Sequence, residues 1–236
     1  MRIILSSLLA FALLIGCKPD AKVEVLGVSL DDAQKVDGKK VRVDYDANKE
    51  LLEILCLLPD SAMASWEWKA FERRRWVDDI KTKGFVMDTS ETVMNVKTIT
   101  PHFLDYQVVD GTWKLAIYKL GPRSRLVFTD DVTGGHDINI FLFDGKQLQA
   151  REDFLKALRH ALLPADAAED CLGTWAEEFP FFDFDCSREN SLLVTMPAID
   201  RVSNDQCLIG NKVTFAISGD GFKVEKAEWL GVKASD

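Results

Sequence analysis

Three histidines, five cysteines and several paired carboxylates are the side chains in this sequence that could do chemistry. His136 lies in Gly134-Gly135-His136-Asp137, His102 follows Pro101, and His160 falls in a stretch of helical periodicity. Hydrolysis through a serine needs Ser, His and Asp assembled in space. The Gly-x-Ser-x-Gly elbow that exposes such a nucleophile does not occur, and Gly134–Asp137 reads more simply as a hairpin turn. Carboxylates pair at Asp78/Asp79, Asp130/Asp131 and Asp183/Asp185. Glycoside hydrolysis uses two carboxylates about 5–9 Å apart, and Asp183 and Asp185 would face the same way on a strand. The same stretch, Glu177–Cys186 (EEFPFFDFDC), equally fits a strand with Phe182 and Phe184 inward and the aspartates in solvent. No residue is therefore assigned a catalytic role. No Cys-x-x-Cys occurs, and the Cys/His spacing does not suit zinc. A calcium loop would need denser oxygen ligands than the Glu177–Cys186 stretch offers. Neither a metal nor a cofactor is expected.

A second constellation mixes aromatics and bases: Trp66, Trp68, Arg73, Arg74, Arg75 and Trp76. If exposed, together with Asp183 and Asp185, these residues would form an interaction surface, because Trp and Arg concentrate binding energy. Such a surface could also touch lipid headgroups. The competing reading buries the tryptophans and leaves the arginines solvated.

The elements that must position these residues follow from periodicity. Val23–Leu30 and Lys40–Tyr45 alternate, with Asp37-Gly38 as a turn, and read as a hairpin. Leu51–Leu58 has helical spacing, with Asp46 or Asn48 as cap, although a buried strand ending at Pro59 fits too. A helix is expected from Asp60 or Ser61 to Lys83, stopped by Gly84. Trp66, Ala70, Arg73, Val77 and Ile80 would share one of its faces. Strands follow at 92–99, 102–109, 113–120, 125–128 and 138–143, most of them separated by turn signals such as Asp110-Gly111 and Asp144-Gly145. Arg151–Leu163 reads as an amphipathic helix, and further strands fall at 181–184, 192–196, 213–218 and 222–229. The closely spaced sequential strands favour antiparallel pairing. The expected fold is α+β, a mainly antiparallel sheet with two or three helices packed on one side. Leu57-Leu58-Pro59 and Leu162-Leu163-Pro164 each close an apolar run, which raises the alternative of two similar halves, about 23–125 and 126–236.

Ahead of the globular part stands a short apolar run, Ile3–Ile15, after Arg2 and before Leu14-Ile15-Gly16-Cys17. As a helix it would reach roughly 20 Å, too short for a hydrocarbon core of about 30 Å, and its flanks fit a cleaved export signal. Residues 1–17 resemble the signal peptides of bacterial lipoproteins, in which a Leu-x-Gly/Ala-Cys lipobox is alkylated on the cysteine and cut just before it. The resemblance implies that residues 1–16 are removed. Cys17 then carries a diacylglyceryl thioether and an N-acyl chain, enough acyl chains for a stable anchor. Residues 17–22 would be a short tether to a domain over 23–236. Lys18 stands where Asp would favour retention in the inner membrane, so the family pattern points to the outer membrane, facing the periplasm.

That address colours the remaining cysteines. Cys56, Cys171, Cys186 and Cys207 are an even set in an oxidising compartment and are disulfide candidates. Cys171–Cys186 is the expected bridge, being close in sequence, while Cys56 is either a buried thiol or a partner for Cys207. Hydrophobic content of 47% and charged content of 28% are ordinary for a globular protein. The net charge is −9, and losing Arg2 takes it to −10. Such a chain is a poor binder of nucleic acid, since phosphate contacts need clustered Lys and Arg, whereas a basic protein partner would be attracted. Two functions are compatible: an anchored protein that binds another macromolecule (an inhibitor, immunity or assembly-accessory type), or a hydrolase of cell-envelope glycan or ester substrates, with His136, Asp137 or the pair Asp183/Asp185 as actors.

Overall fold

The computed structural model describes residues 38–66, 68–89, 95–108, 111–133, 135–167, 171, 182–196, 207–219 and 221–230. The fold is α+β and dominated by antiparallel sheet. It begins with β1 (Gly38–Arg42), α1 (Lys49–Leu57), a 3-10 segment (Asp60–Trp66), α2 (Ala70–Lys83) and β2 (Phe85–Thr89). β3 (Asn95–Thr100), β4 (Phe103–Val108), β5 (Gly111–Lys119), β6 (Arg125–Val132), β7 (His136–Phe143) and β8 (Leu148–Ala150) follow. They form one six-stranded sheet in sequence order. After α3 (Glu152–Ala161), a four-stranded sheet combines β9 (Asp183–Asp185), β10 (Ser191–Thr195), β11 (Lys212–Ser218) and β12 (Gly221–Glu228).

Strand alternation divides the central sheet into two buried faces. Leu104, Trp113, Leu115, Ile117, Val127 and Phe141 point toward α1, α2 and the β1–β2 pair. Phe103, Ala116, Tyr118, Leu126, Phe128 and Ile140 point toward the second sheet and α3, where they meet Phe154, Leu158, Phe184 and Phe215. The helices therefore do not share one side. Helix α3 carries its own apolar stripe, Phe154 and Leu158, and packs on the face opposite to α1 and α2. β1 pairs with β2, antiparallel, with Val41 opposite Val86, a pairing that the sequence pattern did not indicate. The other half of the expected hairpin, 23–30, lies outside the described residues.

The expected helix from Asp60 to Lys83 is broken. The chain turns at Lys69, whose φ of −69° and ψ of 153° are extended, and restarts as α2. The break drops Trp68 onto Tyr106 in a stack with centroids 5.0 Å apart, and Trp76 packs edge-on to both. Asp60 still caps a helix, but across the break: its Oδ1 accepts from the Ala70 amide at 2.8 Å. Gly84 ends α2 as expected, at φ 70°. Arg73 closes the junction. Its side chain is fully buried, its Nε donates to the Leu55 carbonyl at 3.1 Å, and its two Nη groups donate to the carbonyls of Leu58 and Trp68. Asp60 lies 3.3 Å from Nη2. Trp113 ties the junction to the sheet by donating Nε1–H to the Ala62 carbonyl at 2.9 Å.

The disulfide joins Cys171 to Cys207, with Cα atoms 5.3 Å apart, and not Cys171 to Cys186. Cys186 is a free thiol sealed in the core beside β9, where burial pushes its pKa up. Cys56 is a half-buried free thiol against the helical core, so it does not reach Cys207.

Two outcomes check this account. Arg73→Lys keeps the charge but cannot serve three carbonyls and a carboxylate, since an ammonium lacks the guanidinium fork. Urea unfolding should show a loss of about 2 kcal/mol, the worth of a hydrogen bond to a charged group. Closing a 36-residue span removes roughly 4 kcal/mol of chain entropy from the unfolded state. Reduction should therefore lower the unfolding midpoint clearly in Cys186→Ala and leave Cys171→Ala/Cys207→Ala unmoved.

Candidate functional site

On the α3-facing side of the central sheet, the apolar core gives way to a line of charge. Asp105 on β4 sits opposite Lys114 on β5, and Lys114 sits opposite Asp130 on β6. Directly opposed residues share a face, so the three run acid, base, acid across neighbouring strands. His136 on β7 completes the row. Its Nδ1–H donates to the Asp130 carboxylate and is 2.9 Å from each oxygen. Asp130 is fully buried and His136 nearly so. Lys114 Nζ reaches Asp130 Oδ2 at 3.5 Å and donates to the Phe184 carbonyl at 3.3 Å. A lysine ammonium and an imidazole N–H thus offset the cost of burying one carboxylate.

β9 roofs this row. Phe184 is buried, in tilted contact with Phe128 and edge-on to the His136 ring at 5.3 Å. Its neighbours Asp183 and Asp185 point the other way, as the pleat requires. Asp183 is exposed, yet its Oδ1 comes within 3.7 Å of His136 Nε2. Asp185 accepts from the Ser187 amide at 3.1 Å and from the Ser187 hydroxyl at 2.5 Å, and pairs with Arg188 at 3.5 Å. Its carboxyl is held below the usual range by the Ser187 bonds and Arg188, against the burial that would raise it. Between β9 and the β3–β4 edge opens a cleft of about 650 Å³, lined by Asp105, Lys114, Asp183, Asp185, Thr98 and Thr195. Burial raises the Asp105 carboxyl, with Lys114 and Lys97 opposing.

The wiring decides what this arrangement can do. A hydrolytic triad has the nucleophile's hydroxyl bonded to imidazole. Here the Ser187 hydroxyl donates to Asp185, and the nearby His102 donates through Nε2 to the Ser187 carbonyl at 2.9 Å. His136 presents Nε2 to a carboxylate. The arrangement offers anionic recognition at the cleft mouth and a fixed, paired imidazole beneath it.

Of the residues expected at a site, His136, Asp130 and Asp183 converge, and Asp185 borders the same cleft. Asp137 projects from the opposite face, and His160 is exposed on α3. Trp68 and Arg73 are core residues, and Trp76 is half-buried against the same core, so they leave the expected interaction surface. Arg74 and Arg75 are exposed on α2. The Trp66 side chain and Cys17 lie outside the described residues. Lys114 and Asp105 escaped the sequence reading. The only signal was a charge at an inward position of an otherwise apolar strand, Trp113–Tyr118.

The raised Asp105 carboxyl predicts a pH effect with a definite sign. The folded state holds this proton more tightly than the unfolded chain, so stability falls as pH rises above the ordinary carboxylate range, about 3.9. Asp105→Asn should raise the urea midpoint at pH 7, and the gain should vanish below pH 4.

No family model matches this chain, and no curated protein matches it. Among solved structures, a domain of an uncharacterized protein from Porphyromonas gingivalis W83 is similar, with 10% identity and a TM-score of 0.43 over 75% of this chain and 98% of that one.

Proposed function

We propose that this chain is a lipid-anchored protein of the cell envelope, held through acyl chains on Cys17 and facing the periplasm at the outer membrane, that binds another macromolecule through basic side chains of the partner. The anchor rests on Leu14-Ile15-Gly16-Cys17 and the short apolar run before it. The binding reading rests on one observation above all. β9 buries Phe184 and turns Asp183 and Asp185 outward at the mouth of a cleft that Asp105 also lines. A lysine or arginine side chain fits there by charge, and the strongly acidic chain, at net −9 before the loss of Arg2, would attract such a partner over some distance. The hydrolase reading is weaker, because the Ser187 hydroxyl is bonded to Asp185 and not to an imidazole, His136 Nε2 faces a carboxylate, and the one hydroxyl near His102, Thr100 Oγ1 at 3.4 Å from Nδ1, is shared with the Phe103 carbonyl.

The test is capture from detergent extracts of the native envelope with the acylated protein, repeated with Asp183→Asn/Asp185→Asn. One basic protein should be recovered, should be lost at 0.5 M salt where screening shortens to a few Å, and should be recovered at least tenfold less by the double variant. Equal recovery by the variant, or turnover of glycan or ester substrates by the wild type, would reverse the conclusion. Mass spectrometry of the native N-terminal peptide should find acylated Cys17. An intact Met1 would remove the anchor.

A further inference from the structure

Asp130 and Asp131 are consecutive on β6 and so face opposite sides of the sheet. Asp130 has His136 and Lys114. Asp131 turns toward the helical layer, where it is 3% exposed, and it sits directly opposite Asp137 on β7. Two carboxylates facing each other across a ladder repel. Burial, then Asp131 and Asp130, raise the Asp137 carboxyl. One pair further into the same face, Thr129 sits opposite Asn139. Thr129 is fully buried, and neither its Oγ1 nor the buried Asn139 Nδ2 has a hydrogen-bond partner. A buried polar atom left unpaired is costly. Here two such atoms stand beside two mutually repelling acids.

We infer that these four residues, Thr129, Asp131, Asp137 and Asn139, form a binding site for a hard divalent cation of the calcium or magnesium class. Two carboxylates, a hydroxyl and an amide oxygen, the last presented when the Asn139 amide is turned by half a rotation, make an all-oxygen donor set of the kind such ions take. The cation's charge offsets the repulsion between Asp131 and Asp137 and gives the Thr129 oxygen a partner. Asp137 is exposed, which provides the way in and room for coordinated water. Thr133 Oγ1–H donates to Asp131 Oδ1 at 2.7 Å and fixes the orientation of that ligand. No group of three or more His, Cys, Asp or Glu with metal-holding geometry occurs among the described residues. This site reaches its oxygen density with two acids and two neutral side chains. It lies on the face of the sheet opposite to the cleft of Asp183 and Asp185, so the two readings stand or fall separately.

The register supplies the assay. Trp113 is directly opposite Asp131 and on the same face, so its indole can sensitise a bound terbium ion. Terbium chloride titrated into the full chain, with excitation of tryptophan, should give saturable green emission that calcium chloride displaces. Asp137→Asn, a change at an exposed position, should weaken terbium binding at least tenfold. Thr129→Val should weaken it too, while leaving the unfolding midpoint of the metal-free protein equal or higher, because the unpaired hydroxyl is gone. Asp183→Asn/Asp185→Asn should bind terbium like the wild type. Emission that does not saturate, or that calcium fails to displace, would overturn the proposal. So would full affinity in Asp137→Asn, or loss of affinity in the Asp183/Asp185 variant instead.

Discussion

The contact between Arg73 and three backbone carbonyls is the constraint from which the helical layer takes its shape. A helix leaves its last carbonyls without intrahelical partners, and the end of α1 lies beside the fully buried Arg73 side chain. Arg73 reaches back from α2 to the carbonyls of Leu55 and Leu58 and also takes that of Trp68. One planar fork thus satisfies carbonyls in the last turn of α1, just after it, and in the extended stretch just before α2. Burial lowers the guanidinium pKa and Asp60 opposes that shift. The group stays charged all the same, since arginine does not give up its proton in proteins. Because this junction fixes where Trp68 lies, it also fixes the aromatic set of Trp68, Trp76 and Tyr106 that covers the adjoining face of the sheet.

The opposite face is organised by a different balance. Phe128, Phe184 and Phe215 give it an apolar centre, yet the row from Asp105 to His136 is ionic. Burying Asp130 without partners would cost several kcal/mol. Lys114 and His136 reach it from the strands on either side, so the charge is balanced only when β5, β6 and β7 are in this register. A slip of one residue would turn all three groups to the other face. The row therefore specifies strand pairing at the end of the sheet where the apolar pattern runs thin, and it places a rigid, polar floor under β9. The outward acids of β9 are held in place by the inward packing of Phe184. Recognition at the cleft mouth and packing below it are two sides of one short strand.

Much of this architecture was legible. The strands from β3 to β7 were marked by alternation and by turn signals at Asp110-Gly111 and Asp144-Gly145, and Gly84 marked the end of α2. What escaped was non-local. β8 has three residues and no pattern of its own. The break before α2 depends on Tyr106, some forty residues away, and on a buried arginine that composition assigns to the surface. The disulfide joins Cys171 to Cys207 because chain folding, not sequence distance, brings them to 5.3 Å. The site was half visible for the same reason. His136, Asp130 and Asp183 were singled out by type, but their convergence needed the register that sets β6 against β7 and lays β9 above them.

Register also explains why two adjacent aspartates have different fates. Alternation sends Asp130 to a face where a lysine and a histidine wait, and Asp131 to a face where its opposite number is another aspartate. The same single-residue step separates the paired acid from the crowded one. In sequence the two are indistinguishable, an Asp-Asp pair near a turn. In the sheet, one is a structural counter-ion locked between strands. The other shares its face of the sheet with the buried Thr129 oxygen, which has no hydrogen-bond partner among the described residues. A strand that places acids on consecutive positions sends them into two different environments: on β6 the first acid meets Lys114 and His136, and the second meets Asp137 across the ladder and the hydroxyl of Thr133.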